Sequence, residues 1–140
     1  MANEKPFSGL IERLRAAGLR PTRQRLALAK LLFGAGNRHL SAEQLHAEAT
    51  AARVPVSLAT VYNTLHQFTD AGLLREVVVE AGRSYFDTNT QDHHHFFHEA
   101  SGRLEDIPGH EVGLQDVPPA PAGTRVSRVD VIIRVRPDQN

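Results

Sequence analysis

Between residues 7 and 87 the chain alternates helix-start and helix-stop signals, and this punctuation limits its fold more than any other feature. Leu10, Ile11 and Leu14 recur at helical spacing and the pattern stops at Gly18. Thr22 then stands where it caps a second helix, which carries Leu26, Leu28, Leu31, Leu32 and Phe33 to a stop at Gly34. Ser41-Ala42-Glu43-Gln44 has the form of a capping box, in which the serine bonds forward and the glutamine bonds back, and predicts a third helix to about residue 52. Pro55 interrupts, Ser57 offers a further cap, and Leu58, Val61, Leu65 and Phe68 form one apolar stripe before the stop at Asp70-Ala71-Gly72. Two β-prone runs follow, residues 73–80 and 83–87, joined by Glu80-Ala81-Gly82 as a hairpin.

Helices followed by a two-stranded hairpin make a winged helix-turn-helix, with the fourth helix as the one that enters a DNA groove. Opposite its apolar stripe the sequence places Thr60, Asn63, Thr64 and Gln67, with Tyr62 at the margin, and none of these is charged. Asn and Gln can bond adenine through two hydrogen bonds, and Thr and Tyr carbons can meet a thymine methyl. A merely solvated face would more often carry Lys and Glu.

Charge is segregated although the net formal charge is zero. Residues 1–84 hold 11 Lys and Arg against 7 Asp and Glu, whereas residues 85–140 hold 5 against 9, giving +4 and −4. From Leu10 to His39 the bias sharpens, with Arg13, Arg15, Arg20, Arg23, Arg25, Lys30 and Arg38 facing only Glu12. Such a surface suits phosphate.

The second half differs in kind. Pro108, Pro118, Pro119 and Pro121, with Gly109, Gly113 and Gly123, exclude a long helix there and leave at most a short turn in residues 110–115. Residues 125–136 alternate, with Val129, Val131, Ile133 and Val135 on one face, and predict a half-buried strand; residues 103–107 predict another. So small a sheet needs cover from a partner subunit, which predicts a two-fold homodimer. The expected fold is therefore α+β: a winged-helix domain over residues 1–88 and a small α/β dimerisation and sensing domain over 89–140.

The chain has no cysteine, so disulfides, thiol catalysis and cysteine-ligated structural zinc are excluded and any metal must be held by nitrogen and oxygen. No run approaches 18 apolar residues and residues 1–8 lack the apolar run of a signal peptide, so no membrane partner and a cytoplasmic location are expected. Four of the eight histidines fall within Asp92-His93-His94-His95-Phe96-Phe97-His98-Glu99. If this run is extended, alternation puts His93 and His95 on one face and His94 on the other. The order His95-Phe96-Phe97-His98-Glu99 does not match the zinc-peptidase helix patterns, and no phosphate loop or activated serine pattern is present, so an enzyme is not expected.

Two segments, Ala17-Gly-Leu-Arg-Pro-Thr-Arg-Gln-Arg-Leu26 and Ser57-Leu-Ala-Thr-Val-Tyr-Asn-Thr-Leu65, resemble signature segments of the ferric uptake regulator (Fur) family. Arg38-His39-Leu-Ser-Ala-Glu43 between them and Asp70-Ala-Gly-Leu73 after them agree in order and spacing, and the resemblance extends over residues 10–107. Within the family, residues 87–98 and 129–136 resemble the iron response regulator (Irr) branch, which is associated with haem as well as metal and with control of iron and haem-biosynthesis genes. The resemblance implies double-stranded DNA contacts through Arg20, Arg23, Arg25, Ser57, Thr60, Tyr62 and Asn63. Many family members have Arg where Asn63 stands, so an adenine contact is expected to replace a guanine contact. It also implies a divalent metal (Mn, Fe or Zn) at the hinge between the domains, held by His39, Asp87 and two of the histidine triplet, His93 and His95 by the alternation above. His94 is then left for haem or a second metal. Such a metal would hold the two reading helices of a dimer at operator spacing. The alternative is a metal or haem buffer that does not bind DNA sequence-specifically, which would be favoured if the outer face of the fourth helix were buried. The closing strand has no histidine for the family's further metal site, and only His110 and Glu111 could substitute.

Overall fold

The computed structural model describes residues 4–80 and 82–139. It divides into two compact units, residues 1–90 and 91–140.

The first unit contains four helices, α1 (Glu4–Ala16), α2 (Arg23–Phe33), α3 (Ala42–Ala51) and α4 (Leu58–Asp70). Each predicted cap is formed locally. Thr22 accepts from the Arg25 backbone N–H, Ser57 accepts from that of Thr60, and Ser41 and Gln44 close the reciprocal capping box. Because Ser41 satisfies an otherwise orphaned donor, Ser41→Ala should lower the unfolding free energy by about 1 kcal/mol in a urea titration. A loss below a few tenths would show that the box contributes nothing.

Leu14, Leu28, Leu32, Leu45, Val61, Leu65 and Phe68 close the helical core, each at most 1% exposed. Thr64 is buried with them. The sequence expectation had it facing outward, but Val61, Thr64, Leu65 and Phe68 stand at i, i+3, i+4 and i+7, so position 64 falls inside the buried arc.

A three-stranded antiparallel sheet completes this unit in the order β1 (His39–Leu40), β3 (Arg83–Asp87), β2 (Arg75–Glu80). The hairpin is present, with Ala81 of its turn outside the described residues. The short strand β1 was not foreseen; it pairs His39 with Asp87 and Leu40 with Phe86.

The second unit is a sheet of β4 (His93–His98), β5 (Arg103–Pro108) and β6 (Ile132–Val135) in the order β5-β4-β6. The antiparallel β4–β5 hairpin turns through residues 99–102, with His98 opposite Arg103. Strand β6 runs parallel to β4, with His95 opposite Ile132. Only four residues of the strand expected over 125–136 are formed. The ladder stops upstream because the Val131 N–H donates to the His94 ring at 3.1 Å rather than to a strand carbonyl, and Val126 and Val129 stay exposed. The expected turn near residue 110 is a single 3-10 turn, Gly109–Glu111. No helix among the described residues is long and apolar enough to cross a membrane.

Candidate metal centre and nucleic-acid face

The histidine run is extended, so its side chains alternate. His93 and His95 share one face with ring centroids 4.5 Å apart. Both are buried, at 4% and 1% exposed. Strand β5 places Asp106 directly opposite His95. Its Oδ1 lies 3.3 Å from His95 Nε2 and 3.7 Å from His93 Nε2. The three side chains offer ligand atoms within 4.8 Å of one another.

The tautomer of His93 follows from its partner. Nδ1 lies 2.7 Å from the Gln91 carbonyl oxygen. A carbonyl only accepts, so Nδ1 carries a proton and Nε2 is the nitrogen left for a ligand on the Asp106 side. A backbone carbonyl behind the ring is the usual arrangement for a ligating histidine, because it fixes ring orientation and raises ligand basicity. Two imidazole nitrogens and a carboxylate suit Mn(II), Fe(II) or Zn(II), and they bind as neutral imidazole and anionic carboxylate.

His94 points the other way and has a structural task. Its Nδ1 accepts the Val131 N–H, which uses the lone pair at that nitrogen and ties β4 to the segment entering β6. His98 is also engaged, with Nε2 2.9 Å from Glu105 Oε1. That bond, and then the Arg103 guanidinium, hold the Glu105 carboxyl below its ordinary range.

In the first unit the relevant carboxylate is Asp87, 1% exposed at the end of β3. Its cross-strand neighbours are His39 on β1 and Arg75 on β2, so a histidine, a carboxylate and an arginine form one row across the sheet. Asp87 Oδ1 accepts the Asn89 N–H at 2.9 Å. Strand β1 is anchored beside this row. The Arg38 guanidinium donates to both Glu48 oxygens at 2.8 and 2.6 Å, and the Arg38 N–H donates to Thr88 Oγ1.

That pairing trims the basic surface read from the sequence. Arg38 is neutralised by Glu48, Arg13 lies over the Phe33 ring at 4.3 Å, and Arg15 lies 3.7 Å from Glu12. The arginines that remain at the start of α2 are Arg20, Arg23 and Arg25. With α4, Arg20 and Arg25 border a cavity of about 440 Å³ that Thr22, Gln24, Thr60, Asn63, Thr64 and Gln67 also line. Asn63 and Gln67 are exposed. Ser57 Oγ–H donates to Thr60 Oγ1, so these two residues serve the α4 cap. Tyr62 is exposed and stacks on His66, and its hydroxyl donates to Glu43 Oε1 at 2.6 Å. That bond raises the Tyr62 phenol above its ordinary range and lowers the Glu43 carboxyl.

The model of the ferric uptake regulator family matches residues 16–128. The chain belongs to that family. It is 43% identical over 82 residues to the ferric uptake regulation protein of Shigella flexneri, covering 59% of this chain and 55% of that one. To the peroxide-responsive repressor PerR of Staphylococcus epidermidis it is 36% identical over 98 residues, covering 69% and 64%. The matches thus span between half and two thirds of these relatives. Among solved structures, the ferric uptake regulator of Pseudomonas aeruginosa with manganese aligns with a TM-score of 0.72 at 26% identity, over 93% of this chain and 98% of that one. The ferric uptake regulator of Vibrio cholerae aligns with a TM-score of 0.71 at 25% identity, over 90% and 98%. The α+β architecture is therefore that of the Fur family. Asp106, an exposed carboxylate beside the two buried histidines, is the member of the ligand group that sequence reasoning missed. The hairpin register would have found it, because pairing His98 with Arg103 across a four-residue turn sets His95 against Asp106.

Proposed function

We propose that this Fur-family protein is a metal-responsive, DNA-binding transcriptional regulator that works as a homodimer in iron homeostasis. The observation that carries this is the convergence of two buried histidines, His93 and His95, on the Asp106 carboxylate, with His93 Nδ1 held by a backbone carbonyl. Asp87, six positions before His93, and its cross-strand neighbour His39 are proposed to complete the ligand set from the winged-helix unit. A bound divalent ion would supply positive charge and a fixed coordination geometry. An ion held by donors from both units would restrict how the reading helices are presented. On the DNA side, Asn63 and Tyr62 are proposed to reach bases. Arg20, Arg23 and Arg25 are proposed to meet phosphate or a narrow groove, with Ser57 and Thr60 holding the start of α4.

The histidine run supports placement in the iron response regulator branch. Metal rather than haem is the effector proposed, because the triplet is at most 6% exposed and His94 Nδ1 is already used. The exposed Tyr62, Asn63 and Gln67 favour DNA binding over a buffer without it. With membership in a family named for regulation, an enzyme is not proposed.

The test is operator binding with Mn(II), Zn(II), haem and chelator in parallel, on a duplex selected from random DNA by the metal-loaded protein. Tight binding with Mn(II) or Zn(II), lost in chelator and not restored by haem, is expected. Binding that haem alone controls would overturn the choice of effector. Failure to select any sequence would overturn the regulator assignment itself.

A further inference from the structure

The sequence placed Gln67 with Asn63 on the outward face of α4 as a residue able to read adenine. The structure gives its amide a different partner. Gln67 Oε1 accepts from Arg25 Nη2 at 3.0 Å and from Arg25 Nε at 3.3 Å. Arg25 Nη1 donates to the Arg20 carbonyl oxygen at 2.9 Å. The Arg25 backbone is fixed as well, since its N–H donates to the Thr22 cap. A guanidinium has five N–H donors, so these three bonds leave two, one on each terminal nitrogen. An adenine contact through two bonds needs both the oxygen and the nitrogen of a glutamine amide, and here the oxygen is already held.

We infer that Gln67 is a positioning residue: it braces the Arg25 guanidinium between α2 and α4 so that its two remaining N–H groups meet one DNA phosphate as a preset fork. This rests on the DNA-binding reading of that face. The physical basis is the flexibility of arginine. An unbraced side chain must be ordered when DNA arrives, and a preorganised fork avoids that entropic cost. Because a phosphate is present at every step of a duplex, the brace should raise affinity for all sequences alike and carry no base preference.

The experiment is a double-mutant cycle on the full-length, metal-loaded chain, with Gln67→Met, Arg25→Ala and the pair. Each is titrated with the selected operator, with its single-base variants and with a non-operator duplex of the same length. Gln67→Met should weaken binding by about tenfold on all duplexes alike, the scale of one hydrogen bond to a charged group. In the Arg25→Ala background it should cost less than about twofold, since nothing is left to position. Arg25→Lys keeps the charge but cannot form the fork. It should retain the wild-type salt slope, whereas Arg25→Ala lowers that slope by about 1, and in the lysine background Gln67→Met should again be nearly silent. Equal losses in both backgrounds, or a loss confined to one base pair, would overturn the brace. If Arg25→Ala leaves operator affinity unchanged, the DNA-binding face itself has been misplaced at α2.

Discussion

Replacing His95 by alanine should lower Mn(II) or Zn(II) affinity by well over the roughly 10–100-fold that loss of an outer partner of a metal ligand usually costs. His95 is the most buried of the three, at 1% exposed, and its Nε2 is the nitrogen nearest Asp106 Oδ1. Asp106→Asn should act in the same direction, because it removes the anionic oxygen while keeping the side chain's size. His94→Gln is the control. It faces away from the pair and holds Val131, so the variant should disturb β6 and protein stability while metal stoichiometry stays at the wild-type value. Isothermal titration with a competing chelator reads all three. A metal affinity that falls with His94→Gln and not with His95→Ala would place the site on the wrong face of β4.

The largest effect on stability should come from Phe68→Ala. Phe68 is fully buried in α4, sits 6.3 Å from the Phe33 ring in a stacked pair, and joins Val61 and Leu65 in the core of the first unit. Truncation removes the transfer free energy of a ring and leaves a cavity that four helices cannot fully close, at a cost of about 3–5 kcal/mol. That is a large part of the roughly 5–15 kcal/mol that holds a typical domain folded. Urea unfolding should therefore show a strongly lowered midpoint, and DNA binding should fall with it, since α4 also carries Tyr62 and Asn63. A loss below about 1 kcal/mol would mean that the Phe33–Phe68 contact is not central to this core.

Features decided by neighbours in sequence were legible before the structure. Thr22, Ser41 and Ser57 cap their helices because a cap needs only the next three residues. Thr64 was misplaced because the buried arc of α4 is wider than its apolar residues alone suggest, and a threonine lies inside it. Pairing across the chain was harder to read. Asp106 meets His95 only through the β4–β5 register, and β1 exists only because β3 accepts it. The last strand was read too long because alternation signals which face is apolar and cannot show how many residues find a ladder. Here β4 supplies a partner for four, and the His94 ring takes the N–H that a fifth would have used. The outward polar face of α4 was anticipated as a set, but the pairing of Gln67 with Arg25, 42 positions away, has no local signature.

One measurement bears most directly on metal-gated DNA binding: operator affinity of the wild type and of a His93→Ala/His95→Ala variant, each in Mn(II) and in chelator, by fluorescence anisotropy. The wild type should bind tightly in Mn(II) and lose that affinity in chelator, and the variant should show the weak, chelator-like affinity in both. A variant that gains affinity from Mn(II) as fully as the wild type does would contradict the assignment of these histidines as the metal switch.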